Sequence, residues 1–193
     1  MKKIVLFLSA MCFILVGCKD DKKKMDTEEV VEEVDNDMGE EVMGKTISFN
    51  LESRSGSQAT GTVTFTEKNG MIAMEANLKG LEPGMHAIHI HEKADCSAAD
   101  GTSSGGHWNP TFEPHGKWGA SEGYHRGDIG NFQADDSGQG TISMETDQWC
   151  IGCDDEQKNI MGKAIIVHKG SDDFTSQPSG AAGARVSCGG IIE

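Results

Sequence analysis

Histidines are concentrated in one part of the chain, at spacings that suit metal binding. Six of the seven belong to this set: His89, His91, His107, His115, His125 and His168. An aspartate, Asp128, follows three residues after His125. Because alternate side chains of a strand point to the same face, His89 and His91 are predicted to present both imidazoles on one side. Imidazole is the commonest protein ligand for metals such as copper and zinc, so the set predicts a site for two metal ions.

The segments that must position these histidines have the pattern of β-strands. Polar and apolar residues alternate over 46–51 and 60–66, and further short strands are predicted over 71–78, 87–91, 130–134, 140–144 and 164–168. Short strands separated by turn sequences predict an all-β fold, either a sandwich or a Greek-key barrel. Two stretches rich in Gly, Ser and Asp, 92–126 and 169–183, are predicted to be functional loops. The first of them carries three of the six histidines.

The N-terminal part of the chain is predicted to be an export signal followed by a tether. Residues 1–17 start with two lysines after Met1 and continue into an apolar stretch shorter than the ~20 residues of a spanning helix, which indicates a cleaved signal. The ending Leu15-Val16-Gly17-Cys18 resembles a bacterial lipobox, which makes Cys18 the acylated first residue of a lipoprotein. The segment 18–44 should be a solvated tether, because residues 19–44 carry eleven acidic residues and four lysines, a net charge of −7.

The localisation that follows is the cell envelope, on a bacterial membrane and facing the periplasm or the cell surface. A lysine and two aspartates directly after Cys18 resemble a surface-export signal of lipoproteins, although a generic charged spacer explains them equally well. Residues 45–193 are long enough for one well-buried domain. Their eleven basic and twenty acidic residues give a net charge of −9, which argues against nucleic acid as a partner.

The motifs of this domain, taken together, resemble copper/zinc superoxide dismutase. The resemblance covers essentially all of residues 45–193 and is carried by Gly84-Met85-His86-Ala87-Ile88-His89-Ile90-His91-Glu92, Gly106-His107-Trp108-Asn109-Pro110, His115-Gly116, His125-Arg126-Gly127-Asp128-Ile129-Gly130-Asn131, Val167-His168 and Ala182-Gly183-Ala184-Arg185-Val186-Ser187-Cys188-Gly189-Gly190. It implies an eight-stranded Greek-key β-barrel or sandwich with long metal-binding and electrostatic loops. It also implies dismutation of superoxide to dioxygen and hydrogen peroxide, which would protect the cell envelope.

Position by position, the resemblance implies a role for each candidate site residue. The copper ligands are His89, His91, His107 and His168, and the zinc ligands are His107, His115, His125 and Asp128. His107 is thus the bridge, which is expected to release copper on reduction and take up a proton. Asp172 matches an aspartate that links a copper ligand to a zinc ligand, with Asp173 as the adjacent alternative. Arg185 matches the arginine that attracts and orients superoxide beside copper.

Other residues near these motifs receive different predictions. His86 matches a histidine of the family that does not bind metal, so a structural role is expected for it. Trp108 and Trp118 are interpreted as loop-packing residues. The segment from Asp172 to Arg185 has no lysine, in contrast to the lysine-containing loop of the animal enzymes. Lys93 and Lys117 are therefore hypothesised to steer the anion. The resemblance leaves the oligomeric state open, with a homodimer among the alternatives.

The six cysteines fall into three groups. Cys12 is lost with the signal, and Cys18 is the predicted acyl acceptor. Cys96 and Cys188 match the intrasubunit disulfide of the family, which an exported protein can form. The pair Cys150 and Cys153 is outside the animal pattern and is interpreted as a local disulfide, with an accessory metal site or a redox role as alternatives.

Two other functional classes remain open at this point. The first is a metal store or delivery module without turnover, which would need neither the bridging His107 nor Arg185. The second is a thiol oxidoreductase, because Trp149-Cys150-Ile151-Gly152-Cys153 superficially resembles the thioredoxin motif. That motif requires a helix start within a βαβ unit, whereas here it follows a predicted strand of a β domain.

Overall fold

Residues 44–192 are described by a computed structural model, and the predicted signal, lipid acceptor and tether at residues 1–43 lie outside this range. The described part is all-β, with one short 3-10 turn at Thr102–Ser104. Its eight strands are β1 Lys45–Ser53, β2 Thr60–Lys68, β3 Met71–Lys79, β4 Gly84–His91, β5 Gly130–Ala134, β6 Gly140–Thr146, β7 Ala164–His168 and β8 Arg185–Gly190. All seven predicted strands are present, and β8 adds the eighth. Among these residues there is no helix long and apolar enough to cross a membrane.

The strands close into an antiparallel barrel in the order β1-β2-β3-β6-β5-β4-β7-β8. Pairing between β3 and β6 and between β4 and β7 requires connections that skip strands, as in a Greek key. Pairing of β1 with β8 closes the ring, so no long sheet edge is left open. The choice between sandwich and barrel is therefore settled in favour of a closed barrel.

Strand β4 explains how the barrel can hold both a hydrophobic core and a polar site. Its residues Ile88 and Ile90 belong to the core cluster and are fully buried. Because side chains alternate along a strand, His89 and His91 point to the opposite face. They are buried as well, which means that loops must cover this outer face. The strand thus contributes one face to packing and the other to chemistry.

The cover consists mainly of the loop at 92–129, which is hydrogen-bonded to β4. The amide of Trp108 donates to the carbonyl oxygen of Ile90 at 2.8 Å, and the amide of Ile90 donates to the carbonyl oxygen of Gly127 at 2.9 Å. A side chain at position 127 would collide with the carbonyl of Ile90, so this approach requires glycine. The loop therefore lies directly against the strand that carries His89 and His91.

A disulfide ties the same loop to the barrel. Cys96 and Cys188 are bonded, with their Cα atoms 5.8 Å apart and 92 positions apart in the chain. Cys188 lies in β8, three residues after Arg185. The disulfide predicted from the family pattern is therefore confirmed, and it anchors the loop next to the arginine.

Candidate metal centre

Two clusters of potential ligands meet at one shared histidine. The first contains His89, His91, His107 and His168, and the second contains His107, His115, His125 and Asp128. In each cluster, one ligand atom per residue lies within 4.8 Å of all the others, and every member is buried. The structure thus brings together every residue that the sequence nominated as a metal ligand. Four imidazoles suit copper, and three imidazoles with one carboxylate suit tetrahedral zinc.

Buried ring nitrogens without hydrogen-bond partners show that the residues fit these metals. The atoms without a hydrogen bond are His89 Nδ1, His91 Nε2, His107 Nε2, His115 Nδ1, His125 Nδ1 and His168 Nε2. Two of them, His115 Nδ1 and His125 Nδ1, lie close to the Asp128 carboxylate but do not have hydrogen-bond geometry towards it. Burying a polar atom without a partner is unfavourable, and ligation of a metal would satisfy each of these nitrogens. His107 Nε2 belongs to this set, while its Nδ1 lies 2.8 Å from Asp128 Oδ1 in the second cluster. One nitrogen of this ring is therefore available to each cluster.

The other ring nitrogens of the first cluster are held by the protein. His91 Nδ1 lies 2.9 Å from the carbonyl oxygen of Gly105, and His168 Nδ1 lies 3.2 Å from that of Gly183. His89 Nε2 lies 2.9 Å from a carboxylate oxygen of Asp172. Such contacts fix the tautomer and the orientation of a ligating imidazole. The free nitrogen of each ring is thereby directed into the cluster.

Asp172 links the two clusters through its carboxylate. Its second oxygen lies 2.9 Å from His115 Nε2, so the same carboxylate holds one histidine of each cluster. Asp173, the adjacent alternative, is exposed and caps the turn at Thr175 and Ser176 instead.

Sequence reasoning gave no role to the residues that hold Asp172. Asn131 accepts a hydrogen bond from the Asp172 amide at 2.7 Å and donates one to its carbonyl oxygen at 2.9 Å. A side chain at Gly180 would overlap the Asp172 carboxylate, so this position requires glycine. Gln177 makes a similar pair of hydrogen bonds to the backbone of His115. Asn131 was present in a family motif, but nothing in the sequence indicated its partner.

Asp128 contacts all three histidines of the second cluster. Its carboxylate oxygens lie 2.8 Å from His107 Nδ1, 3.0 Å from His115 Nδ1 and 3.2 Å from His125 Nδ1. It also accepts hydrogen bonds from the backbone amides of His125 and Gly116. Burial alone would raise the pKa of this carboxyl, but its close contacts with the three histidines outweigh burial and hold the pKa far below its ordinary value. Asp128 is therefore ionised, as a zinc ligand must be.

Burial and neighbouring carboxylates shift the pKa values of four of these histidines in different directions. Burial lowers the pKa of His107 to about 4 and that of His168 to about 3, and it places the pKa of His91 well below its ordinary value. Burial acts on His115 in the same direction, but its contacts with the carboxylates of Asp128 and Asp172 outweigh burial and raise its pKa to about 9. The first three are thus ready to bind metal at neutral pH, whereas zinc must displace a proton from His115.

Arg185 provides a fixed positive charge next to the first cluster. It contributes to lowering the pKa of both His91 and His168, which shows that its charge acts on the cluster. Its Nη1 donates to the carbonyl oxygen of Gly101 at 2.7 Å and to Ser104 Oγ at 3.0 Å. The side chain is half-buried, so an anion from solvent can still reach the guanidinium.

The structure also shows the surroundings of the residues near these motifs that were not predicted to bind metal. Both ring nitrogens of His86 face carbonyl oxygens, of His168 at 2.8 Å and of Glu82 at 2.7 Å, which fits a structural role. Lys93 and Lys117 are exposed in the 92–129 loop. Trp108 belongs to the buried core, and Trp118 packs against it.

Cys150 and Cys153 are bonded to each other within the 147–163 loop, and neither of them belongs to the two ligand clusters. The neighbouring Trp149 is buried, and its indole Nε1 donates to the carbonyl oxygen of Arg126 at 2.9 Å. Arg126 directly follows His125, so this loop supports the backbone of the second cluster. The described residues contain no βαβ unit, which a thioredoxin-like role would require.

Known proteins resemble this chain over most of the barrel. Residues 59–191 match the family model of copper/zinc superoxide dismutase. A superoxide dismutase [Cu-Zn] of Aquifex aeolicus is 34% identical over 139 residues, which cover 69% of this chain and 80% of that protein. The copper chaperone for superoxide dismutase of Rattus norvegicus is 32% identical over 67% of this chain, but only 47% of that protein is covered. The crystal structure of a SOD-like protein from Bacillus subtilis superposes with a TM-score of 0.66 at 30% identity, covering 75% of this chain and 97% of that one.

The family match and the two histidine clusters agree on cofactors and chemistry. Copper and zinc are the metals of this family, and the buried ligand sets suit both. The chain therefore belongs to the copper/zinc superoxide dismutase family.

Proposed function

We propose that the protein removes superoxide at a copper–zinc centre bridged by His107, anchored to a bacterial membrane and facing the periplasm or the cell surface. The overall reaction consumes two superoxide anions and two protons and yields one dioxygen and one hydrogen peroxide. The observation that carries the proposal is the shared His107, which offers Nδ1 to the Asp128 cluster and an unpartnered Nε2 to the cluster of four histidines. Bound copper would supply the alternating one-electron chemistry, and zinc, which has no redox chemistry, would fix the bridge.

The chain's own residues have two tasks in this reaction. Arg185 attracts and orients the anion, because its guanidinium stays charged at any working pH. His107 Nε2 holds and delivers one of the two protons that peroxide needs. Burial lowers the pKa of this ring to about 4 when no metal is bound, so Nε2 carries no proton at neutral pH and is open to a metal or to an incoming proton.

A metal store or delivery module is the second candidate, since one relative is named as a copper chaperone. Storage requires neither an imidazole shared between two sites nor a fixed cation beside one of them. The presence of both His107 and Arg185 in these positions favours turnover.

A direct measurement of superoxide decay distinguishes the two. The purified protein loaded with copper and zinc should accelerate the decay, and Arg185→Gln should reduce the second-order rate constant about tenfold, because electrostatic steering is worth ~10–10³ in rate. Arg126→Gln is a matched control that removes a loop arginine paired with Gln148. A fully metallated protein that leaves superoxide decay unchanged would favour storage.

The envelope location rests on the predicted signal at 1–17, the lipid acceptor Cys18 and the tether at 18–44. The Cys96–Cys188 disulfide supports export, because such bonds persist in oxidising compartments. Labelling of cells with a fatty acid tests the anchor. Cys18→Ser should abolish labelling of the protein, whereas Cys12→Ser should leave it unchanged. Equal labelling of the two variants would contradict the anchor.

A further inference from the structure

The hydroxyl of Ser104 is fully buried beside the first cluster, in the short 3-10 turn of the 92–129 loop. It lies 2.9 Å from the carbonyl oxygen of Gly101 and 3.0 Å from Arg185 Nη1. A longer contact of 3.5 Å joins it to His91 Nδ1, which faces the Gly105 carbonyl oxygen at 2.9 Å. A serine hydroxyl has one hydrogen, which it donates to Gly101, so its oxygen must act as an acceptor towards Arg185. The directions of the hydrogen bonds to Gly101 and Arg185 are thereby fixed.

The contacts of Arg185 show which part of the guanidinium the protein uses. Nη1 donates to both the Gly101 carbonyl and Ser104, which occupies its two hydrogens. The side-chain hydrogen bonds of Arg185 within residues 44–192 involve only this nitrogen. Arg185 also takes part in none of the ion pairs formed in this range. Its Nε and Nη2 therefore keep their hydrogens for a ligand, with the positive charge uncompensated by direct contact.

The backbone that carries these acceptors is held in place. Gly101 has a φ of 72°, and a side chain there would approach Arg185 Cβ to 3.3 Å and Cδ to 3.4 Å. Arg54 donates from Nε and Nη2 to the carbonyl oxygen of Cys96, at 2.9 and 2.6 Å. With the Cys96–Cys188 disulfide, these contacts make the segment a firm support for the arginine.

We propose that Ser104 is a positioning residue of the anion site. Its hydroxyl and the Gly101 carbonyl together saturate Nη1, and this holds the guanidinium so that the other N–H groups bind a small monovalent anion next to the four-histidine cluster. The identity of that anion as superoxide rests on the proposed function. The positioning itself is tested with azide, a monovalent anion that ligates Cu(II).

The first experiment is a spectroscopic azide titration of the copper- and zinc-loaded protein and three variants. Ser104→Ala removes the acceptor, while Ser104→Thr and Ser104→Val carry the same extra atom and differ only in the hydroxyl. We expect azide to bind about fivefold more weakly to the Ala and Val variants, part of what a hydrogen bond to a charged group is worth. The Thr variant should stay within about twofold of the original. The proposal would be overturned if Ser104→Ala bound azide as tightly as the original protein, or if the Ser104→Thr and Ser104→Val variants bound azide equally well.

The second experiment asks whether Ser104 acts through Arg185. In an Arg185→Gln background, Ser104→Ala should cause no further loss of azide affinity. A further fivefold loss would show that the hydroxyl acts by another route, which contradicts the proposal.

A third readout does not depend on copper. In the copper-free protein, nitrogen NMR of the Arg185 side chain should show restricted rotation about the Cζ–Nη1 bond, which becomes fast in Ser104→Ala and Ser104→Val but not in Ser104→Thr. Equally fast rotation in all forms would overturn the proposal. Superoxide decay measured on the same samples separates the two claims, because a protein that binds azide as described yet leaves superoxide intact refutes the proposed function alone.

Discussion

The two halves of the metal centre are built from different kinds of backbone. In the four-histidine cluster, His89 and His91 lie on β4 and His168 ends β7, and these two strands pair directly. All four residues of the second cluster, which contains Asp128, lie in the 92–129 loop instead. His107 belongs to both and is connected to β4 by an isolated bridge with His91. Folding of the barrel therefore positions most ligands of the four-histidine cluster, whereas the ligands of the second cluster come together only when the 92–129 loop is ordered.

This difference has an energetic consequence. The strand-borne histidines are ordered by the same hydrogen bonds and core packing that fold the barrel. The loop must lose conformational freedom to bring His115, His125 and Asp128 together, and the free energy of zinc binding is available to offset that loss. We therefore expect zinc to act as a folding ligand of the loop and copper to occupy a site that already exists.

Metal removal should separate the two halves most clearly. Without metals, the amides of Gly127 and Asp128, which bond within the loop, should exchange with solvent about a hundredfold faster or more, because the loop opens locally. The amides of Ile165 and Ile166 in β7 should change much less. Hydrogen exchange followed by mass spectrometry measures both. Equal loss of protection in loop and strand would contradict the distinction.

Replacing Asp128 with Asn should damage the loop-built half selectively. Zinc affinity should fall more than about a hundredfold, since loss of contacts to a ligand alone is worth ~10–100-fold and Asp128 is itself a proposed ligand. Copper content should be largely retained. Metal analysis after dialysis against a graded chelator provides the measurement, with Asp173→Asn as the exposed control. Parallel loss of both metals would indicate a single, inseparable site.

Asp172→Asn tests the link between the halves. The carboxylate holds His89 and His115 at 2.9 Å each, so the amide can serve only one of them as acceptor. We expect about tenfold weaker zinc binding and a smaller effect on copper, because His115 lacks the strand that supports His89. The same chelator series measures it. A larger loss of copper than of zinc would reverse the comparison.

A feature could be predicted from the sequence when it depends on residues that are close together in the chain. The alternation along 46–51 and 60–66 identified strands because it reports burial of one face, and the spacing of His89 and His91 placed both on one side. Asn131 and Gly180 could not be assigned, since their partner Asp172 becomes adjacent only after β5 and the 169–184 loop are in place. Ser104 was hidden for another reason, because it lies in a run of small polar residues that indicates only a loop.

Trp149→Phe should produce a smaller change on the zinc side. The substitution keeps an aromatic ring against Phe65 and Trp118 but removes the hydrogen bond to the Arg126 carbonyl. Loss of about 1 kcal/mol should make zinc dissociate roughly three- to fivefold faster, with copper retention unchanged. A chromophoric chelator follows the release. Trp118→Phe, in the same aromatic group, is the control. If zinc dissociated at the same rate from both variants, the hydrogen bond of Trp149 would have no part in holding zinc.

The two exposed lysines should give the smallest effect. Lys93→Gln, close to the four-histidine cluster in sequence, should reduce the superoxide rate constant at low salt by about a factor of two, and Lys117→Gln by less. The double variant should show a weaker dependence of the rate on ionic strength. An unchanged salt dependence would assign steering to Arg185 alone.

The bridge at His107 is the central claim, and electron paramagnetic resonance tests it most directly. Two Cu(II) ions loaded into both clusters of the zinc-free protein should couple through a shared imidazolate, so that the copper signal largely disappears. Two independent copper signals that sum to the bound metal would show that His107 does not join the clusters.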